Sequence, residues 1–227
     1  MEAAVSEKEG ACVNEASVFF DKFARTFDTL YTHGRNPVMQ WFDRTFRRDF
    51  FIRFSMTFEL LGDLSQKSVL DIGCGPGAYM LEALRRKAAR VTGIDPAPRM
   101  LEIAHDRISA NGYSERSTLL QLSFPRDNLR DRFDFAIVMG VLDYVEDPIS
   151  FMRELKHIVN SKAVISFPSR HWLRTPIRKT RYRIRKCPVF FYDEHEIRNL
   201  VQQAGFTQLS LTKIPGAGMD FVLCVAP

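Results

Sequence analysis

Val69-Leu70-Asp71-Ile72-Gly73-Cys74-Gly75-Pro76-Gly77 joins a short apolar run to three glycines at alternate positions. The run from Ser68 to Ile72 predicts a buried strand. Glycines straight after it let the backbone turn sharply and come close to a bound group. A helix predicted to start at Pro76 would aim its first amides at that turn, where a carboxylate or phosphate is favoured. A strand, a glycine turn and a helix in this order open a βαβ unit.

The rest of the chain extends that unit. The helix from Pro76 to Arg86 turns Met80, Leu81 and Leu84 inward, and Arg90 to Ile94 is a second strand ending in Asp95. An acid at such a strand tip, about 20 residues after the glycines, suits the hydroxyls of a ribose, because ionised Asp only accepts hydrogen bonds. Asp95-Pro96 also reads as a helix N-cap with proline at N1, and the two roles are compatible. A helix over Ala97 to Asn111 closes at Gly112. Strands three and four are Thr118 to Leu122 and Phe133 to Met139; a helix covers Pro148 to Val159, and a fifth strand Ala163 to Phe167. After a basic stretch come a helix over Asp193 to Ala204, stopped by Gly205, and strands over Phe206 to Ile214 and Met219 to Val225.

Strands alternating with helices predict an α/β, Rossmann-like, mostly parallel seven-stranded sheet with helices on both faces. The last two strands, joined through Pro215-Gly216-Ala217-Gly218, are close enough to pair only as an antiparallel hairpin. Upstream, Phe19, Phe23, Phe27, Leu30 and Tyr31 share one helical face; Asn36-Pro37 interrupts it, and Val38 to Leu61 reads as a second helical stretch. The expected organisation is an N-terminal helical cap or lid over 1–62 and a core over 63–227 carrying a basic insertion at 169–190.

Composition sets the outer bounds. At 45% hydrophobic and 26% charged residues, the 227-residue chain suits a globular core rather than disorder. No run of about 18 apolar residues is present, which argues against a membrane span. Glu2, Glu7, Lys8 and Glu9 argue against a secretory leader. Cys12, Cys74, Cys187 and Cys224 are scattered, so neither a disulfide framework nor a metal site is expected, and a cytoplasmic location is. Arg170, Arg174, Arg178, Lys179, Arg181, Arg183, Arg185 and Lys186 carry eight positive charges with no acid between them. The whole chain nets only +5, so the remainder is net acidic.

The glycine stretch resembles the first motif of class I S-adenosylmethionine (SAM)-dependent methyltransferases. A dehydrogenase-type GxGxxG would place its third glycine one residue later than Gly77. Two further stretches strengthen the resemblance: Val91-Thr92-Gly93-Ile94-Asp95, and Phe133-Asp134-Phe135-Ala136-Ile137-Val138-Met139-Gly140-Val141-Leu142-Asp143-Tyr144-Val145. It implies that Gly73, Cys74, Gly75 and Gly77 lie under the methionine part of SAM, with Asp71 helping to hold its amino group. It implies ribose contacts from Asp95, with Pro96 and Met100 beside it. Met139 and Gly140 would pass the methyl group and adenosine. Many relatives place Gly-Asp after the third strand for the adenine amino group; this chain has Ser123 and Phe124, a weaker acceptor and a ring able to stack. Asp143 and Tyr144 stand where many relatives have Glu and His.

Methyl transfer from a sulfonium is an in-line displacement, for which alignment supplies roughly 7–11 kcal/mol and a base is optional. Tyr144 and His171 are the candidate bases, with His195 a third. Thr175-Pro176 predicts the start of a basic amphipathic helix ended by Pro188, with Arg174, Arg178, Arg181 and Arg185 on one face. Arginines so placed suit a carboxylate or phosphate; a basic amphipathic helix also suits a membrane surface. Tyr31, Arg174, Arg178 and Arg181 are therefore the expected substrate contacts. The layout loosely resembles quinone and magnesium-protoporphyrin O-methyltransferases, which implies a small-molecule acceptor methylated on oxygen. Nucleic acid is the less favoured partner, because no [Asn/Asp]-Pro-Pro-[Tyr/Phe] motif follows strand four. A SAM-binding subunit without catalysis and a nicotinamide enzyme are the remaining readings.

Overall fold

The computed structural model describes residues 51–127, 129–170, 189–214 and 220–227. Its strands are β1 (Ser68–Ile72), β2 (Arg90–Ile94), β3 (Ser117–Leu120), β4 (Phe133–Val138), β5 (Val159–Phe167), β6 (Thr207–Lys213) and β7 (Phe221–Ala226). The described helices are α1 (51–61), α2 (Ala78–Arg85), α3 (Pro98–Ala110), α4 (Pro148–Ile158) and α5 (Glu194–Ala204). The strands form one sheet in the order β3-β2-β1-β4-β5-β7-β6. β1 to β5 run parallel, and β7 lies antiparallel between β5 and β6. The expected Rossmann-like sheet with its antiparallel C-terminal pair is therefore the observed one.

Strict alternation along the strands makes two cores. Leu70, Ile72, Ala136, Val138, Ala163, Ile165, Phe167, Leu223 and Val225 face α4 and α5. Their neighbours Val69, Phe135, Ile137, Val164, Val222 and Cys224 face α1 and α2. A strand buried on both faces reads as a continuous apolar run, as β7 does, while Asp71 and Asp134 interrupt the runs of β1 and β4. α1 packs Phe58 and Leu61 into the second core, with Phe54 against Phe58 and Tyr79 at centroid distances of 5.1 and 4.9 Å. Residues 1–50 of the expected cap, Tyr31 among them, and positions 171–188 of the expected insertion lie outside the described residues. No described helix is long and apolar enough to cross a membrane.

Some boundaries differ from the sequence reading for physical reasons. α2 starts at Ala78 rather than Pro76, because Gly77 still holds the left-handed φ of 75° that ends the turn. β5 starts at Val159, four residues early: Val159 pairs with Phe133, and a register shift then carries the exposed Asn160 and Ser161 past β4 before pairing resumes at Lys162. Polar residues on that irregular turn hide the strand from its apolar pattern. α3 starts at Pro98 rather than directly after Asp95, so Pro98 takes N1 and Ala97 is the N-cap residue.

Candidate functional site

The carboxyl ends of β1, β2 and β4 meet where strand order reverses between β1 and β4, the place where open α/β sheets bind ligands. Gly73, Gly75 and Gly77 adopt φ of 67, 49 and 75°, a left-handed region that strains other residues. Gly73 and Cys74 donate their amides to the Ile94 carbonyl at 2.8 and 3.0 Å, which bends the chain across β2. Gly77 ends the turn and starts α2. A Cβ on Gly77 would come within 2.9 Å of the Ala104 Cβ, and one on Gly73 within 2.5 Å of Val141 Cγ2. Those two glycines serve packing. Gly75 differs: nothing described lies within 4 Å of the Cβ it lacks, and the same holds for Gly140 at φ 74° across the crevice. A side chain at either position would occupy space that the fold keeps clear.

Two buried carboxylates define the crevice electrostatically. Asp95 accepts the Gly75 amide on Oδ2 at 2.9 Å and the Ala97 amide on Oδ1 at 2.8 Å, so it clasps the glycine turn to the start of α3. Burial pushes its pKa up to about 6 against the pull of those two amides. Asp71 is 1% exposed, and its Oδ2 has no hydrogen-bond partner. Burial, then repulsion from Asp95, holds its pKa well above the usual carboxylate range, offset in part by the Met80 amide. A buried acceptor without a partner costs about 1–3 kcal/mol, which an arriving cation removes. The residues present thus fit a ligand with an ammonium near Asp71, hydroxyls near Asp95 and a close backbone contact at Gly75. Those are the features of S-adenosylmethionine. Cys74 is buried, and desolvation with the two nearby acids raises its thiol pKa, so it lines the turn as an inert side chain.

The loop after β4 forms the opposite wall. Gly140 donates its amide to the Ser166 hydroxyl at 2.8 Å, and Tyr144 donates to the Val141 carbonyl at 2.9 Å. Thr57 of α1 lies 3.7 Å from the Met139 sulfur. The chain that follows 171–188 is tied to this same wall. Phe190 donates its amide to the Asp143 carbonyl at 2.9 Å, and the Tyr192 hydroxyl donates to Leu142 at 3.3 Å. Tyr192 also bridges Ser169, and Arg170 pairs with Glu196 at 2.8 Å. A groove of about 520 Å³ between Glu146, Arg170, Phe190 and Gln203 lies over α5, apart from the glycine turn.

The structure brings Asp71, Gly73, Cys74, Gly75, Gly77 and Asp95 together at the strand ends, with Met139 and Gly140 facing them. Met100 is buried beside Ala97, and Pro96 is half-buried at the start of that turn. Ser123 is half-buried and gives its amide to Asp127 at 2.6 Å. The Phe124 ring stands edge-on to Phe151 at 4.9 Å, so packing is the role on view. Tyr144 is half-buried in the post-β4 loop. His195 is exposed on the first turn of α5, with its Nδ1 3.3 Å from Asn199. His171, Arg174, Arg178 and Arg181 lie outside the described residues. Sequence reading missed Ser166, Tyr192 and Arg107, whose guanidinium donates to the Pro76 carbonyl within the glycine turn. A serine inside the apolar run Ala163 to Phe167 was the signal for the first; the other two had none.

Comparison with known proteins agrees with this geometry. A family model described as a methyltransferase domain matches residues 42–211. The chain belongs to the class I SAM-dependent methyltransferases, and its cofactor is S-adenosylmethionine. Among curated proteins it is 35% identical over 106 residues to a ubiquinone biosynthesis O-methyltransferase of Actinobacillus pleuropneumoniae, covering 44% of each chain. It is 30% identical over 115 residues to a tRNA U34 carboxymethyltransferase of Campylobacter jejuni, covering 51% of this chain and 39% of that one. The chain therefore matches less than half the length of either relative. Among solved structures, magnesium protoporphyrin IX methyltransferase from Synechocystis PCC 6803 with bound SAH superposes with a TM-score of 0.75. That match covers 93% of this chain and 99% of that one at 20% identity, a likeness of fold.

Proposed function

We propose that the protein transfers the methyl group of S-adenosylmethionine to an oxygen atom of a small, anionic or membrane-associated metabolite. One observation carries the acceptor class. Phe190 and Tyr192, which follow the arginine-rich stretch in sequence, are hydrogen-bonded to Asp143 and Leu142 of the loop beside Gly140. In this proposal the arginines that precede them in sequence recruit the acceptor, because such a cluster attracts carboxylates and phosphates. The ubiquinone O-methyltransferase relative supports oxygen as the target. A cytoplasmic site of action belongs to the same proposal and rests on the scattered cysteines, of which Cys74 and Cys224 are free and buried.

In this reading SAM supplies the electrophilic methyl, and the chain's own residues hold and orient. Asp71 and the backbone around Gly75 fix the amino-acid end, while Asp95 accepts from the ribose. Alignment does most of the catalytic work, and Tyr144 is the proposed base where the acceptor must lose a proton. A screen of metabolite extracts for a SAM-dependent mass gain of one methyl tests the proposal. Anionic oxygen acceptors among the products support it; gains confined to RNA or protein sink it.

A second reading, methylation of nucleic acid, draws on the tRNA-modifying relative and the same arginines. It requires RNA affinity that falls steeply with salt, and salt-independent or absent binding eliminates it. Turnover of SAM to S-adenosylhomocysteine with any acceptor rules out a purely binding role.

A further inference from the structure

Ser166 is 1% exposed next to the last residue of β5, among Val164, Ile165 and Phe167, which are fully buried. A hydroxyl at such a place needs a partner, and it has one: the Gly140 amide at 2.8 Å. Gly140 has left the β4 ladder, which ends at the Val138–Ile165 pair, so its N–H would otherwise lack a strand carbonyl. The peptide unit between Met139 and Gly140 is planar and trans, so its N–H and C=O point in opposite directions. Fixing the N–H on β5 therefore turns the Met139 carbonyl the other way, to the β1 side of β4. In register, Val138 pairs with Ile72, which puts Met139 level with Gly73, two residues beyond Asp71. Asp71 there offers a buried carboxylate oxygen without a partner.

We propose that Ser166 is a positioning residue that aims the Met139 carbonyl into the crevice as a second acceptor, beside Asp71, for the ammonium of the cofactor's amino-acid end. This rests on the cofactor assignment above. A carboxylate and a carbonyl converging on one ammonium satisfy two of its three protons, which Asp71 alone does poorly from its buried position. Ser166 itself touches no ligand, so its effect passes entirely through the orientation of one peptide group.

Two probes separate aiming from mere packing: S-adenosylhomocysteine, which carries the amino-acid end, and 5′-methylthioadenosine, which lacks it. Binding of both to the full chain is measured by calorimetry, with a thermal melt of each variant. Ser166→Ala is expected to weaken S-adenosylhomocysteine about tenfold, the scale of one hydrogen bond to a charged group, and to leave methylthioadenosine within about twofold. Ser166→Thr keeps the hydroxyl and is expected to restore the lost affinity. Ser166→Cys, whose sulfur accepts weakly, is expected to follow Ala, and it is read in place of Ala should that variant not fold. Equal losses for both probes, or no loss for S-adenosylhomocysteine, overturn the positioning role while leaving the cofactor assignment intact. A wild-type protein that binds neither probe overturns the cofactor assignment, and this proposal with it.

Discussion

Three residues carry the binding argument, and each fails in its own way when changed. Gly75→Val puts a branched side chain at φ 49° into the space kept clear above the turn. Calorimetry with S-adenosylhomocysteine should find at least a ~10-fold loss, and near-wild-type affinity would refute the cradle. Asp71→Asn should split two properties usually lost together. The fold without ligand should hold or gain about 1 kcal/mol in urea titrations, because a buried, repelled charge with one unsatisfied oxygen disappears, while S-adenosylhomocysteine affinity falls. pH gives a third test. Asp95, raised to about 6, and Asp71, also raised, bind protons more tightly folded than unfolded. Both contributions to stability are therefore complete below about pH 4; that of Asp95 is lost as pH climbs through 6, and that of Asp71 as pH passes its own raised pKa. The melting shift produced by S-adenosylhomocysteine should grow across that window, as the carboxylates ionise and gain a cation. A flat shift from pH 5 to 8 would argue that neither acid meets the ligand.

Among the elements, α2 and α3 meet in a closely packed seam beside the site. Gly77 and Ala104 leave no room for an added methyl, and Arg107 ties α3 to the turn from the other side. Gly77→Ala should destabilise by about 2–3 kcal/mol, from left-handed strain plus overlap, measured by denaturant unfolding. Adding Ala104→Gly should relieve the overlap but not the strain, a partial recovery that separates the two causes. β1, β2 and the residues of the glycine turn were legible because period and glycine placement are local signals. The β5 start was not, because polar Asn160 and Ser161 sit on an irregularity that only the pairing with β4 explains. Pro98 at N1 was missed because Asp95 spends both oxygens on amides of the turn, delaying the helix. Ser166 was visible as an oddity, yet its meaning needed the position of Gly140.

At the scale of the molecule, charge is as unevenly spread as structure is regular. A chain netting +5 keeps eight positive charges between Arg170 and Lys186. Reversing Arg178 and Arg181 to Glu should leave S-adenosylhomocysteine binding unchanged and lower use of an anionic acceptor by at least about tenfold, most clearly at low ionic strength. Loss of cofactor affinity in that double variant would speak against a separate acceptor role. The alternating pattern foretold the architecture; strand order was not readable, since each strand's apolar run is silent about its neighbours. The observed order has a consequence for biosynthesis. β6 leaves the ribosome before β7, yet β7 is the strand that joins it to the sheet. Without residues 221–226, β5 keeps one raw edge and β6 has no strand to lie against, so a released chain cut short near Ile214 displays two sticky ribbons to its surroundings.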